Sequence, residues 1–218
     1  SNDFSKRLAA LAERVLDERW KSSPPEAASS GLHEYDGMLP PVTMASIEGH
    51  VAELRAALAE GETIGTEGLA PQELFDRELL LLGLRDEIWE LSEDRSFTRD
   101  PMALMWPLEA TAYLDRSYAP VEERMDSMAE LLRAVPAYLD SVRALLQPPF
   151  AKPVLHQSIE AYAGLAEYYR GDVAEFAEAN LRLVPGLSVM QAAEEAAQAI
   201  DAMVVYLRGH ESTANDDF

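Results

Sequence analysis

The sequence has no cysteine among its 218 residues. Disulfide bridges, thiolate zinc sites, iron–sulfur clusters and cysteine nucleophiles are therefore excluded. No uninterrupted apolar run approaches the ~20 residues that a membrane-spanning helix needs. No N-terminal segment combines a basic start, an apolar core and a small-residue cleavage site. The sequence therefore leaves the compartment unknown, with the cytoplasm slightly favoured.

Basic residues are also scarce. The chain carries 18 Lys and Arg residues against 39 Asp and Glu residues, which gives a formal net charge of −21. A nucleic-acid-binding protein needs clustered Lys and Arg to replace the counterions of phosphates, and a helix that lies on an anionic membrane needs a basic face. Neither is present, so we expect no nucleic-acid partner and no membrane partner. The evenly spread acidic charge is typical of a soluble surface.

The apolar residues recur at alternating intervals of three and four positions, which is the period of an α-helix face. No run of alternating Val, Ile and Thr and no Asn-Gly or Asp-Gly hairpin predicts a strand. The sequence therefore predicts an all-α fold, a multi-helix array or bundle of about six to eight helices without a sheet. It further predicts a single domain over residues 1–210 and a frayed polar tail over residues 211–218. The longest apolar series comprises Val121, Met125, Met128, Leu132, Val135, Leu139, Val142 and Leu146.

Two helices have special features. The segment from Pro71 to about Glu93 is apolar around most of its circumference, so we expect it to be buried on several sides and central to the fold. Pro136 lies within the long apolar series, whose register continues past it, so we expect one kinked helix rather than two helices. Loops are expected over residues 22–43, 61–70, 94–100, 147–152 and 183–187.

The histidines do not form a recognisable metal motif. A zincin helix has a second histidine four residues after the first, but Gly37 stands in that place after His33 and Ala214 after His210. The other two histidines, His50 and His156, stand alone. Because catalytic zinc needs about three protein ligands, we predict no metal ligand, no cofactor-binding residue and no catalytic residue in this chain.

Two stretches have no assigned role. Ser30–Pro41, SGLHEYDGMLPP, places a histidine, a tyrosine and two acids between glycines, which is typical of a turn-rich connector. Asp100–Leu114, DPMALMWPLEATAYL, combines two methionines and a tryptophan with two prolines. This stretch is either an irregular core segment or a wall that rearranges around a peptide. The sequence does not decide whether either stretch contacts a ligand.

Three segments occur in an order that resembles a known family. They are ERWKSSPPEAASSGLHEYDGMLPPVT at 18–43, FDRELLLLGLRDEIWEL at 75–91 and YAPVEERMDSMAELLRAVPAYLDSVRALL at 118–146. Together they resemble the N-terminal part of the bacterial domain-of-unknown-function 885 family, whose members look like zinc metallopeptidases of the helical gluzincin type. Arg124 matches the arginine of that family, and Pro136, Tyr138 and Leu139 match its Val-Pro-x-Tyr-Leu pattern.

The resemblance implies a division of labour along the family's chain. Its zinc-binding segment, of the H-E-x-x-x-x-H type, lies in a C-terminal part to which nothing here corresponds. The resemblance therefore implies an N-terminal scaffold and cleft wall that is inactive by itself, with zinc expected only in the absent C-terminal part. Its expected partners are that catalytic part or a second copy, and a peptide. An exposed apolar patch is expected where the missing part would pack.

The alternative hypothesis is a self-contained acidic all-α interaction or ligand-binding protein without enzymatic activity. A zinc-binding segment encoded beyond Phe218 would favour the metallopeptidase hypothesis, whereas a stop codon would favour the alternative.

Overall fold

The computed structural model describes residues 2–180 and 186–217, and within them it contains no β-strand. The predicted all-α fold is confirmed. Six of the helices are 17 residues or longer, and short 3-10 or π turns join several of them. The α-helices are α1 (Asp3–Ser22), α2 (Pro24–Ser29), α3 (Met44–Glu62), α4 (Pro71–Trp89), α5 (Thr111–Asp115), α6 (Val121–Leu145), α7 (Lys152–Tyr168), α8 (Ala174–Ala179) and α9 (Gly186–Arg208).

The structure divides into two compact units. Unit 1 consists of Ser1–Ser22 and Met44–Ser96, and unit 2 consists of Ser23–Thr43 and Phe97–Phe218. The single domain expected over residues 1–210 remains a prediction, and each unit is described by itself.

Unit 1 contains α1, α3 and α4, which pack on one another through a small core. Its helices follow the predicted apolar periods, because residues three and four apart share one face. Val15, Ala57 and Leu80 are only partly buried and pack against both of its buried clusters. The buried members of those clusters are Leu8, Leu11, Val51, Leu54, Ile64, Leu84 and Ile88.

The prediction that α4 is central is wrong. Only Leu81, Leu84 and Ile88 of this helix are buried. Four of its large apolar side chains lie more than half exposed to solvent: Phe75 (61%), Leu79 (57%), Leu82 (54%) and Trp89 (57%). The apolar content of a helix indicates how much of its surface could be buried. It does not predict how many other helices pack against that surface.

Unit 2 contains the larger core, in which α9 packs against both α6 and α7. The long apolar series predicted from the sequence is buried along α6, from Met125 to Val142. As predicted, one helix continues through Pro136. On α9, apolar residues with the same spacing of three and four positions are likewise buried: Val189, Ala193, Ala196, Ile200, Met203 and Leu207.

The frayed polar tail expected over residues 211–218 remains a prediction, and the structure describes this segment as far as residue 217. Within them, Glu211–Thr213 form a 3-10 turn. The backbone N–H of Asn215 donates to the Phe150 carbonyl at 3.0 Å, and the Asn215 carbonyl accepts from the Lys152 N–H at 2.8 Å. Backbone pairing therefore ties the tail to the start of α7 as far as Asn215. The loop predicted over residues 183–187 lies, up to position 185, outside the described residues.

Candidate functional site

The two stretches without an assigned role, Ser30–Pro41 and Asp100–Leu114, meet in unit 2 around one half-open cavity of about 350 Å³. Pockets that bind small ligands or short peptide segments start at roughly this size, about 300 Å³. The first stretch contributes His33, Asp36 and Met38 to the lining, and the second contributes the segment from Trp106 to Tyr113. The following residues Asp115, Arg116 and Tyr118 complete one side.

A histidine, an aspartate and a tyrosine form a connected network in this cavity. His33 stacks flat on Tyr118, with ring centroids 3.8 Å apart and planes 1° from parallel. Asp36 contacts both residues: its Oδ1 is 3.3 Å from His33 Nδ1, and its Oδ2 accepts from the Tyr118 hydroxyl at 2.6 Å. Burial, together with the hydrogen bond to Asp36, raises the pKa of Tyr118, so this hydroxyl stays a donor. Within the described residues, Nε2 of His33 makes no hydrogen bond.

Gly37 connects this network to the core of unit 2. Its φ of +77° is in the left-handed region, and a Cβ at this position would lie 2.7 Å from the Ser127 carbonyl oxygen. Both observations require glycine. The Gly37 N–H donates to the buried Tyr113 hydroxyl at 2.7 Å, and burial raises the pKa of Tyr113. The turn is therefore fixed to the second stretch by a buried hydrogen bond.

Arg124 fixes the segment that carries Tyr113 and Tyr118. This side chain is buried on α6, and its guanidinium donates to the carbonyls of Tyr113 at 2.7 Å, Leu114 at 3.3 Å and Ala119 at 3.2 Å. Its guanidinium also lies 5.8 Å from the centre of the Phe176 ring. A planar fork of five N–H donors suits three carbonyls that point to one place.

Three tyrosines hold the back of the second stretch. The Tyr162 hydroxyl donates to the Pro101 carbonyl and the Tyr138 hydroxyl to the Leu104 carbonyl, both at 2.7 Å. The Tyr169 hydroxyl donates to the Leu108 carbonyl. The carbonyls of Pro101, Leu104 and Leu108 thus accept hydrogen bonds from helix side chains, in addition to the turn hydrogen bonds within the segment. Of the two possibilities left open for this stretch, the structure supports a packed core segment on this side.

The opposite side of the same stretch is exposed. Trp106 is 48% and Met38 is 49% exposed, and both line the cavity. Arg116 lies beside them and donates to the Ser29 carbonyl at 3.1 Å. The cavity therefore presents two apolar side chains and a guanidinium. The backbone that carries Trp106 is fixed on its other side by the three tyrosine hydroxyls.

The buried tyrosines make the stability of the protein sensitive to alkaline pH. Burial raises the pKa of Tyr138, Tyr162 and Tyr169. Their contribution to stability is complete below pH ~10, where tyrosines of the unfolded chain begin to ionise, and is lost as the pH rises towards the folded-state values. We expect the urea midpoint to fall steadily above pH ~10, and absorbance at 295 nm to show fewer ionised tyrosines in folded than in urea-unfolded protein. Coincident titrations of the two states would contradict this.

The described residues do not fit a zinc site. A catalytic zinc needs three protein ligands and an open position, but no group of three or more His, Asp or Glu residues is placed to hold a metal within residues 2–180 and 186–217. Three of the histidines each lie beside one carboxylate, and His210 instead contacts aromatic rings. The three pairs are His33–Asp36 at 3.3 Å, His50–Glu87 at 2.8 Å and His156–Glu160 at 3.3 Å.

The sequence singled out the two stretches of this site, but it did not predict the hydrogen bonds that fix them. Nothing in the apolar period of α6 and α7 shows that Tyr138, Tyr162 and Tyr169 donate to one distant segment. A usable signal was present: a tyrosine within a buried series needs an acceptor for its hydroxyl, and a proline-rich segment has carbonyls without helical partners. The prediction that the chain holds no catalytic residue remains a prediction.

Residues 24–218 match a family model described as "Bacterial protein of unknown function (DUF885)". No curated protein matches the chain.

A solved structure, described as that of "a putative lipoprotein of unknown function from Shewanella oneidensis", has a similar fold. The TM-score is 0.82 and the sequences are 20% identical. The match covers 98% of this chain but 38% of that chain, so this chain spans about two fifths of the length of that protein. In the described part of this chain, no helix is long and apolar enough to cross a bilayer.

Proposed function

The chain belongs to the DUF885 family of bacterial proteins of unknown function, and from this membership we propose that it is the helical scaffold and one wall of the peptide cleft of a zinc metallopeptidase. In this proposal the chain binds peptide but does not cleave it. Zinc and its ligands belong to the part of the family architecture that this chain does not span. That assignment rests on the family resemblance of the ordered motifs at 18–43, 75–91 and 118–146.

The cavity of unit 2 is the observation that carries the proposal. Peptide-binding clefts are concave, largely apolar and mostly formed before the ligand arrives. Here, Trp106 and Met38 are exposed above a segment whose carbonyls accept from three helix tyrosines. A rigid backing of this kind lowers the entropy that is lost on binding, because the cleft does not have to be ordered by the ligand.

The network of His33, Asp36 and Tyr118 supplies the polar side of the cleft. Its stacked rings are held by one carboxylate, which leaves His33 Nε2 able to hydrogen-bond a peptide amide or carbonyl, depending on its protonation state. Arg116 can meet a carboxylate of the peptide. The proposed ligand is therefore a peptide with a bulky apolar residue next to an acidic residue or a free C-terminus.

Replacing Trp106 with alanine is expected to weaken peptide binding at least tenfold. Trp is enriched among the few interface residues that each contribute more than 1 kcal/mol of binding free energy, and tenfold corresponds to about 1.4 kcal/mol. The probe is an N-acetylated hexapeptide library with one fixed position per pool, measured by fluorescence polarisation. Trp89→Ala is the matched control, since Trp89 is similarly exposed but lies on α4 of unit 1.

The same pools are incubated with the chain with and without Zn²⁺, and products are followed by mass spectrometry. We expect no metal-dependent cleavage. Robust zinc-dependent turnover by this chain would overturn the scaffold assignment, and equal binding by the Trp106 and Trp89 variants would overturn the placement of the cleft.

The alternative function is a self-contained acidic interaction protein without enzymatic activity. The exposed apolar row on α4 favours it, because such rows are typical of partner surfaces. If no peptide pool binds at Trp106 while a protein partner binds unit 1, this alternative replaces the cleft proposal.

A further inference from the structure

Unit 1 has a second concave surface, independent of the cavity in unit 2. The helices α1, α3 and α4 border a half-open groove of about 740 Å³. Val15, Ala57 and Leu80 form part of its lining, and these are the side chains that cover both buried clusters of the unit without being fully buried themselves. The floor of the groove is thus formed by apolar side chains of the unit 1 core that remain partly exposed to solvent.

The exposed apolar row of α4 is continuous with this groove. Phe75, Leu79, Leu82 and Trp89 are spaced by four, three and seven residues, which places them along one face of the helix. Of this row, Leu79 lines the groove itself, beside Leu80 and Gly83 of the same helix. An apolar surface of this length, bordered by three helices, has the form of a helix-binding groove, in which an amphipathic helix inserts residues at i, i+3, i+4 and i+7.

The charges at the rim indicate what that helix carries. Six carboxylate side chains line the groove against three cationic ones. Arg14 is already engaged by Glu60 at 2.6 Å and Lys21 by Glu18 at 2.8 Å. Arg19 is the third cation, and the other carboxylates include those of Asp17, Glu53 and Asp76, so the net charge of the groove lining is negative. A cationic flank on the occupant would lower the electrostatic free energy, and an acidic flank would raise it.

We propose that the groove between α1, α3 and α4 binds an amphipathic helix whose apolar face is flanked by Lys and Arg residues. This inference does not depend on the peptide cleft in unit 2. A second copy of the chain fits the groove less well, because each copy carries a net charge of −21 and would bring acidic residues to an acidic rim. With the helix bound, unit 1 becomes a four-helix arrangement with a covered core.

Gly83 allows the groove to be blocked without damage to the fold. A Cβ added at Gly83 meets no atom within 4 Å, and the same is true at Gly49, which lies on α3 but does not line the groove. Gly83→Gln and Gly49→Gln both replace an exposed mid-helix glycine by a better helix former, so both should stabilise their helix. Only the first places a side chain in the groove.

The probe is a phage-displayed library of 18-residue helices with a fixed leucine face, whose flanking positions vary among Lys, Glu, Gln and Ala. Selection on the full chain is expected to enrich Lys at the flanks. Enriched peptides, remeasured by fluorescence polarisation, should bind Gly83→Gln at least tenfold more weakly and Gly49→Gln within twofold of the parent protein. Their affinity should fall as salt rises from 50 to 500 mM, because exposed charges are screened.

Three results would overturn the proposal. The first is that selection enriches no helix over the Gly83→Gln protein, and the second is that it recovers acidic and uncharged flanks as often as Lys. The third is that sedimentation shows a homodimer of the parent chain that Gly83→Gln dissociates, which would assign the groove to self-association. Trp106→Ala should leave the selected peptides bound, so failure here and failure of the cleft proposal are distinguishable.

Discussion

Arg124→Met is expected to lower the free energy of unfolding by about 2–4 kcal/mol. Methionine retains much of the aliphatic volume but cannot donate to the carbonyls of Tyr113, Leu114 and Ala119, which accept from the guanidinium in the native protein. A buried acceptor that loses its donor costs about 1–3 kcal/mol. Because these carbonyls belong to the segment that positions Tyr113 and Tyr118, the loss should also release the turn at Gly37.

Urea denaturation followed by tryptophan fluorescence measures this loss in unit 2. Trp20 and Trp89 lie in unit 1, so a background with both replaced by Phe leaves Trp106 as the single reporter of unit 2. Arg133→Met is the matched control, since Arg133 is exposed on the same helix and its replacement should change stability by no more than about 0.5 kcal/mol. Arg124→Lys should remain destabilised, because an ammonium lacks the planar fork that reaches three carbonyls. Equal midpoints for the Arg124 and Arg133 variants would refute the anchoring role.

The sequence was sufficient for what depends on local period. The series through Met125, Met128, Leu132 and Leu139 predicted a helix and its buried face, because a helix forces residues three and four apart to one side. Pro136 did not end that helix, since a proline removes one hydrogen bond while the packing of both halves against a common core is retained.

The sequence was insufficient for features that depend on tertiary contacts, such as which apolar side chains are buried. Leu79 and Leu82 are as hydrophobic as Leu81 and Leu84, yet the first two are exposed and the last two buried, because the burial of a side chain depends on its neighbours. The cavity of unit 2 could not be predicted from the sequence for the same reason. Asp36 and Tyr118 are 82 positions apart, and no periodicity connects a turn residue with a loop residue at that separation.

Tyr162→Phe combined with Tyr169→Phe is expected to lower the free energy of unfolding by about 2–5 kcal/mol. Each substitution removes one hydroxyl from a fully buried ring and leaves the carbonyl of Pro101 or Leu108 without its donor, at about 1–3 kcal/mol for each. The two sites hold one segment, so their effects need not be additive. Urea denaturation at pH 7 measures the total loss of unfolding free energy, and hydrogen exchange shows which part of the chain is destabilised.

Hydrogen exchange separates the loss of the segment's anchors from general loosening. In the double variant, amides from 101 to 110 should exchange faster than those of α6 and α9, because the segment opens locally before the helices do. Tyr206→Phe on α9 is the control, since within the described residues its hydroxyl makes no hydrogen bond. If the double variant stays folded, peptide binding at Trp106 should weaken as well, because Trp106 lies between the released carbonyls. Unchanged exchange at 101–110 would show that the hydroxyls of Tyr162 and Tyr169 do not hold the wall of the proposed cleft.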